Sequence, residues 1–456
     1  MLGGKQMNAE ASLGIDRIRG TERIAALDVL RGVAILFILF MNIPAMGGYE
    51  FALFDERYPT WTAADWWTTF IRMTWMDGTQ RGLLELLFGA GILIMARRAM
   101  NPDGPVEVAD LHYRRNIWLA IFGLGNAFLL LWFGDILLVY GLAAVFLFPF
   151  RKLGPKALCG LASVFLAALL LNNVSEYRES QAKREKVEQV QAAQAAGTKL
   201  SDADKKVLED DKKNVLSRTQ LPGENAEAKK KIAEAEKAHH STFRAYWNAQ
   251  FDGWKFIMGW FWIIEAEIVA TMLIGMAFYR WGIIQGEAKR RTYWALLLLG
   301  YGLGMWLRGT LEWYSLEHVR GPHWQWVMSD VSRLLVTFGH VGLIQLVLTS
   351  EAGRRLLKPF QAAGRMPLTV YLFTSFLMMW IVFAPWGLNL WGAWGQAKLM
   401  VVAAVVIAAE MVAANLWLRS YDNGPMEWIW KSLAYRRHEP FRKAPGQLPD
   451  AIPSPI

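Results

Sequence analysis

Apolar residues in this chain run in long, nearly unbroken stretches, with polar residues confined to short turns between them. That is neither the period-2 alternation of a half-buried strand nor the one-sided stripe of a soluble helix. Ten stretches approach the roughly 20 mostly apolar residues that a spanning helix requires. They cover residues 24–43, 83–99, 117–133, 136–150, 157–173, 254–279, 292–307, 327–350, 367–384 and 396–417. Only Gly134 and Asp135 separate the third from the fourth, which predicts a tight turn. Residues 61–76 are aromatic but carry Asp65 and Arg72, and read as an interfacial or re-entrant helix.

One long stretch breaks the pattern. Residues 174–253 hold 15 Lys/Arg and 14 Asp/Glu and have no aromatic residue between Arg178 and Thr242. They are rich in Ala, Lys, Glu and Gln, which favour helix, and Pro222 with Gly223 should break them. The expectation is two or three solvated helices forming an insert, either a spacer or a docking arm. His239 and His240 near its end read as solvated, and no Cys or carboxylate spacing around them fits a metal site. The chain therefore divides into a membrane half (1–173), the insert (174–253), a second membrane half (254–418) and a basic tail (419–456).

Charge fixes the orientation. With the N-terminus in the cytoplasm, short cytoplasmic segments hold 25 Lys/Arg and short outside loops hold 7. The positive-inside rule then puts both termini in the cytoplasm, in keeping with an even number of spans, and the insert falls outside. The overall charge of +9 follows from this topology and gives no reason to expect nucleic acid. With 456 residues, 54% hydrophobic and 20% charged, the chain is not a soluble or disordered protein. The single Cys159 excludes an intrachain disulfide. The first apolar run, with Asp28 and Arg31 inside it and no clear cleavage site after it, reads as a retained helix rather than a signal peptide. The expected fold is an all-α polytopic transmembrane bundle of about ten spans with a helical extracytoplasmic insert.

Ionisable residues inside spans are costly and call for a partner or a job. Asp28 and Arg31, three apart, can pair, or Arg31 can grip a phosphate while Asp28 orients it. Asn42 lies near the other end of the same helix and can bind a substrate carbonyl or join helices. Glu85 follows Arg81 by four, the spacing of an ion pair. Asp135 at its turn reads as solvated or substrate-facing. Glu265 and Glu267 fall on different faces of one span, and at least one should meet a cavity or a cation. Arg308, Asp330 and Arg333 should cluster, as an anion-binding vestibule or as mutual salt bridges. Glu410 is an isolated carboxyl. His340 is the one His inside a predicted span, and is either a general base or a hydrogen-bonded structural group. His318 and His323 lie in an outside loop. No Walker loop, HExxH, GxSxG or CxxC pair occurs, and no metal is expected.

Five segments carry a resemblance. They are RIAALDVLRGVAILFILFMN ending at Asn42, LLFGAG ending at Gly91, GDIL ending at Leu137, GRMPLTVY ending at Tyr371 and GPMEWIWKSL ending at Leu433. In this order, over nearly the whole chain outside the insert, they resemble the YeiB family of bacterial membrane proteins, which end in a domain of unknown function. That family looks like part of a transmembrane acyltransferase superfamily that includes the lysosomal heparan-glucosaminide N-acetyltransferase and resembles the acyltransferase-3 proteins. The resemblance implies transfer of an acyl group from acetyl-CoA or another cytoplasmic acyl-CoA to an extracytoplasmic small-molecule, glycan or lipid acceptor. It implies that Asp28, Arg31, Arg365 and Tyr371 serve the donor. On that resemblance Asn42, Asp55 or Glu56 would serve the chemistry; from the residues themselves, His340 is a further candidate for it, and Asp135, Glu265, Arg308 and Arg333 are candidates for the acceptor. Asn126 stands where family members often carry His, and Val370 and Thr374 where they carry Asn and Gln. Two other readings stay open: a transporter or flippase of an anionic or lipid-linked solute, and a non-enzymatic scaffold. The lipid bilayer is the expected environment, and a homodimer is compatible with the sequence.

Overall fold

The computed structural model describes residues 25–48, 61–96, 107–219, 226–317, 323–438 and 440–443. Asp55, Glu56 and His318, and the expected break at Pro222–Gly223, lie outside them. The described residues are overwhelmingly helical and form no β-sheet. In chain order the helices are α1 Ala25–Gly47, α2 Ala63–Trp75, α3 Thr79–Ala96, α4 Glu107–Phe128, α5 Leu137–Leu147 and α6 Pro155–Ala195. Then come α7 Asp202–Thr219, α8 Ala226–His239, α9 Phe243–Gly259, α10 Phe261–Arg280 and α11 Arg290–Leu297. The last six are α12 Met305–Glu317, α13 Ser329–Leu348, α14 Glu351–Arg365, α15 Pro367–Phe376, α16 Gln396–Ser420 and α17 Pro425–Tyr435. A π-helical turn, Leu298–Gly304, joins α11 to α12, and another, Leu377–Val382, extends α15.

Among the described residues, six helical paths are long and apolar enough to cross a membrane, or seven if the pair α14–α15, bent by 77°, counts as one. The protein is an α-helical, multi-pass membrane protein. The expected spans at 117–133, 136–150 and 292–307 fall on α4, on α5 with the 3-10 turn after it, and on the segment around the first π turn. Residues 61–76 hold α2, a helix of its own with its C-cap at Met76. α2 continues through a short turn into α3, and Ala63–Ala96 is one of the six paths. Both charges that argued against this are buried. Asp65 caps Thr62 and accepts from the backbone N–H of Ala397 at the start of α16. Arg72 pairs with Asp77 at 3.7 Å. α6 and α16 present bare apolar side chains to their surroundings, such as Val164, Leu171, Val401 and Val405, as lipid-facing helices do.

Glycine decides where helices meet. At Gly32 on α1 and Gly364 on α14, an added Cβ would overlap the facing backbone carbonyl, so these helices cross at backbone contact. Gly89 on α3 and Gly275 on α10 make the same kind of crossing. Within each glycine group of the sequence the structure separates the partners. Gly89, Gly123, Gly300 and Gly304 sit in contacts, whereas Gly91, Gly125 and Gly302 face open space.

The boundary expected at residue 174 falls inside a helix. α6 runs 41 residues without interruption, roughly 60 Å at 1.5 Å per residue, from the bundle out into the insert. α7 folds back against it, and Lys186 pairs with Asp204 at 3.2 Å. The insert is anchored at its far end. His239 is not solvated: its ring stacks on Trp391 at 3.8 Å with 7° between the planes. Its Nδ1–H donates to the Ala235 carbonyl at 2.8 Å, and Gln250 donates to Nε2 at 3.3 Å. His240, although exposed, bonds Asn389 at 2.6 Å. Burial pushes the His239 imidazole down from the ordinary 6.5 to about 4, so the docked state holds it neutral. Docking is therefore at full strength above about 6.5 and weakens as pH falls toward about 4. Limited proteolysis of the insert is expected to speed up across that window in the wild type and not in His239→Phe. An equal pH dependence in both contradicts this anchor.

Candidate functional site

The bundle holds a buried polar core at the start of α3. Arg81 pairs with Glu85 at 3.2 Å and with Glu267 of α10 at 2.5 Å. Arg333 of α13 pairs with the same Glu267 at 2.5 Å and with Glu85 at 3.5 Å. Arg333 also donates to the Thr271 hydroxyl at 3.2 Å and the Gly78 carbonyl at 3.3 Å. Two acids and two bases cancel, which is the condition for keeping charge out of water. Tyr140 of α5 closes one side by donating to the Arg81 carbonyl at 3.1 Å. Gly82 makes room: a side chain there would meet the Arg333 guanidinium and the Thr337 hydroxyl.

His340, two turns along α13 from Arg333, lies beside this core. Its Nε2 is 3.1 Å from the Trp75 carbonyl and 3.0 Å from the Thr79 hydroxyl. A carbonyl only accepts, so the contact with Trp75 is one in which Nε2 carries a proton. Nδ1 sits 2.6 Å from the Tyr301 hydroxyl, whose oxygen accepts from the Trp75 indole at 3.3 Å. Tyr301 is in the π turn, a helix distortion often found at functional sites. Gly339 lets the Tyr301 ring lie against α13, because a Cβ there would strike the ring. The result is an imidazole inside a span, hydrogen-bonded to a half-buried phenol.

A second knot joins α4, α5 and α15. Asp135 is buried rather than solvated, and accepts from Asn126 and from the Leu138 N–H, both at 2.9 Å. Tyr371 accepts from the Ile136 N–H at 3.3 Å. At the far end of α1, Arg31 bonds Asp28 at 3.5 Å and the Gly364 carbonyl at 3.3 Å, beside Arg365. Glu427 of α17 accepts from the N–H groups of Leu368 and Thr369 and from the Thr369 hydroxyl. Trp430 donates to the Arg115 carbonyl at 2.8 Å. The recurrent sequence segments thus fall largely at helix joints: Gly32 with Gly364, Gly89, Asp135 with Tyr371, and Glu427 with Thr369.

Residues 278–437 match the family described as "Protein of unknown function (DUF418)". YxaH of Bacillus subtilis is 28% identical over 92% of this chain and 96% of its own length. YeiB of Escherichia coli is 26% identical over 92% of this chain and 98% of its own. Over nearly its whole length the chain is similar to these two proteins. No solved structure matches it. The expected residues do not gather into one site. Asp28, Arg31 and Arg365 gather at the α1–α14 crossing; Tyr371 does not join them but meets Asp135. Arg333 enters the four-charge core, as the i, i+4 spacing of Arg81 and Glu85 foreshadowed for its other half. Arg308 is separate: it donates to the carbonyls of Met73 at 2.5 Å and Asp77 at 2.7 Å, at the end of α2. Asp330 bonds Asn173 at 2.9 Å instead of joining Arg308. Glu265 takes no part in the ion pairs that hold Glu267. Asn42 is buried on α1, next to Met41, whose sulfur accepts from the Gly78 N–H at the α2–α3 turn. Sequence reasoning missed Tyr301, Tyr140 and His112. His112 is buried on α4, at 2.9 Å from the Ala144 carbonyl of α5. The only signal for Tyr301 was the glycine density around it, Gly300, Gly302 and Gly304.

Proposed function

We propose that this protein moves an acyl group from a cytoplasmic thioester such as acetyl-CoA to an acceptor on the insert side of a bacterial inner membrane. The observation that carries the reading is the His340–Tyr301 pair: an imidazole inside a spanning helix, matched to a half-buried hydroxyl and bonded to no carboxylate. In the proposed step the acceptor O–H or N–H gives its proton to the Tyr301 oxygen as Tyr301 passes its own to His340 Nδ1. The freed acceptor pair attacks the thioester carbonyl, the C–S bond breaks, and the thiolate recovers the proton through the same pair. His340 keeps its Nε2–H on the Trp75 carbonyl throughout, which fixes the ring. Arg31 and Arg365, close together near the opposite end of the bundle, supply positive charge for CoA phosphates.

A ligand that binds only the folded state stabilises it, by about 2.7 kcal/mol at 100 times its Kd. CoA and acetyl-CoA are expected to raise the thermal midpoint of the purified protein, adenosine to leave it unchanged, and Arg31→Ala to abolish the shift. Each protein is compared with and without ligand, so the stability lost with the Arg31–Gly364 bond cancels. No shift with millimolar CoA species sinks the donor assignment.

A further inference from the structure

Glu410 lies on α16, 6% exposed, and takes no part in the charge core or the proposed chemistry. Its carboxyl Oε1 is 2.6 Å from the Thr374 Oγ of α15. The same Thr374 oxygen is 2.8 Å from the carbonyl of Val370, one turn back. Both distances are hydrogen bonds. A hydroxyl has one proton to give, and a backbone carbonyl has none. If Thr374 donates to Val370, the proton in the other bond must come from Glu410.

The surroundings agree. α16 packs on α1, α2 and α14. The charged groups on these helices and on α16 itself are committed elsewhere or sit away from Glu410. Asp28 and Arg31 bond each other, Asp65 caps Thr62, and Arg72 pairs with Asp77. On α14, Glu351 pairs with Arg355, and Arg354 bonds the Leu348 and Thr349 carbonyls. Among the described residues, no ion pair joins Glu410 to Lys358 of α14 or to Lys398 and Arg419 near the two ends of α16. α15 carries no charged residue. An ionised carboxylate without a cation in a spanning helix costs about 2.5–3.5 kcal/mol even on the lenient insertion scales.

We propose that Glu410 and Thr374 form a proton-binding site inside the membrane, in which Glu410 is held as the carboxylic acid and donates to Thr374. The site has two states built from the same atoms. With the proton bound, Glu410 donates to Thr374 and Thr374 to Val370. With it released, Thr374 turns its O–H from Val370 to Glu410, so the carboxylate keeps one bond. The proton is the ligand, and the Thr374 hydroxyl is the element that moves.

Infrared spectra of the full protein in liposomes at neutral pH test this. A protonated-carboxyl carbonyl band that shifts in D2O is expected in the wild type and lost in Glu410→Gln, which keeps the size and the bond to Thr374. The lipid-soluble dicyclohexylcarbodiimide, which reacts with protonated carboxyls, is expected to modify Glu410 in the wild type, as mapped by mass spectrometry. This second measurement needs no variant to fold. A carbonyl region unchanged in a folded Glu410→Gln protein, or a wild-type Glu410 left unmodified, overturns the proposal.

Discussion

Gly89→Leu is expected to yield no stable protein, while Gly91→Leu, two residues along the same helix, is expected to leave the thermal midpoint unchanged. The two glycines belong to one LLFGAG segment and look alike in sequence. Gly89 lies where α3 crosses α10, and even a Cβ there would overlap the Met272 carbonyl. The obstacle is backbone, which no rotamer change moves aside. Overpacking a core costs about 1–3 kcal/mol when side chains can give way, and a backbone clash stands at or beyond the upper end. Gly91 has no atom within 4 Å of a built Cβ. The check is the yield of monodisperse protein and its thermal midpoint in detergent. Equal behaviour of the two variants contradicts the crossing. The same contrast is expected of Gly123 and Gly125 on α4.

Arg333→Leu should be the most damaging single change in the polar core. It leaves Glu85 and Glu267 buried with Arg81 alone, an uncompensated negative charge away from water. Breaking a buried pair by removing one partner costs about 3–5 kcal/mol, whereas removing both members of a pair is far milder. Arg333→Leu combined with Glu267→Leu is therefore expected to recover part of the lost thermal midpoint, although it deletes more interactions. A double variant less stable than Arg333→Leu alone contradicts a core stabilised by charge balance. That outcome would point instead to Arg333 or Glu267 acting through packing.

The helical, membrane-spanning character was legible because a bilayer imposes long apolar runs, and the runs stand out from the charged insert. The pairing of Arg81 with Glu85 was legible because four residues make one helical turn. What hydropathy cannot carry is the path of a helix. It divided Ala63–Ala96, which the short turn before Thr79 bends without ending. It also gave no sign of the π turns, nor of the 77° bend between α14 and α15. Partners far apart in the chain were equally hidden. Glu267 meets Arg81 across 186 residues, and Tyr301 meets His340 across 39, and no local spacing encodes either. His239 looked solvated because its neighbours in sequence are polar, while the ring that covers it, Trp391, arrives from a distant loop. Asp135 looked solvated because turns usually are, yet Asn126 and the Leu138 N–H replace water around it.

Release of free thiol from acetyl-CoA by the protein in liposomes decides the functional reading most directly. The assay sets wild type against His340→Gln, with a panel of sugar and lipid hydroxyl and amine acceptors. Acyl transfer through the His340–Tyr301 pair predicts acceptor-dependent thiol release in the wild type. It also predicts a loss of about 10²–10⁴-fold in the variant, the usual contribution of a positioned general base. Thiol release absent from the wild type, or unchanged by His340→Gln, contradicts it.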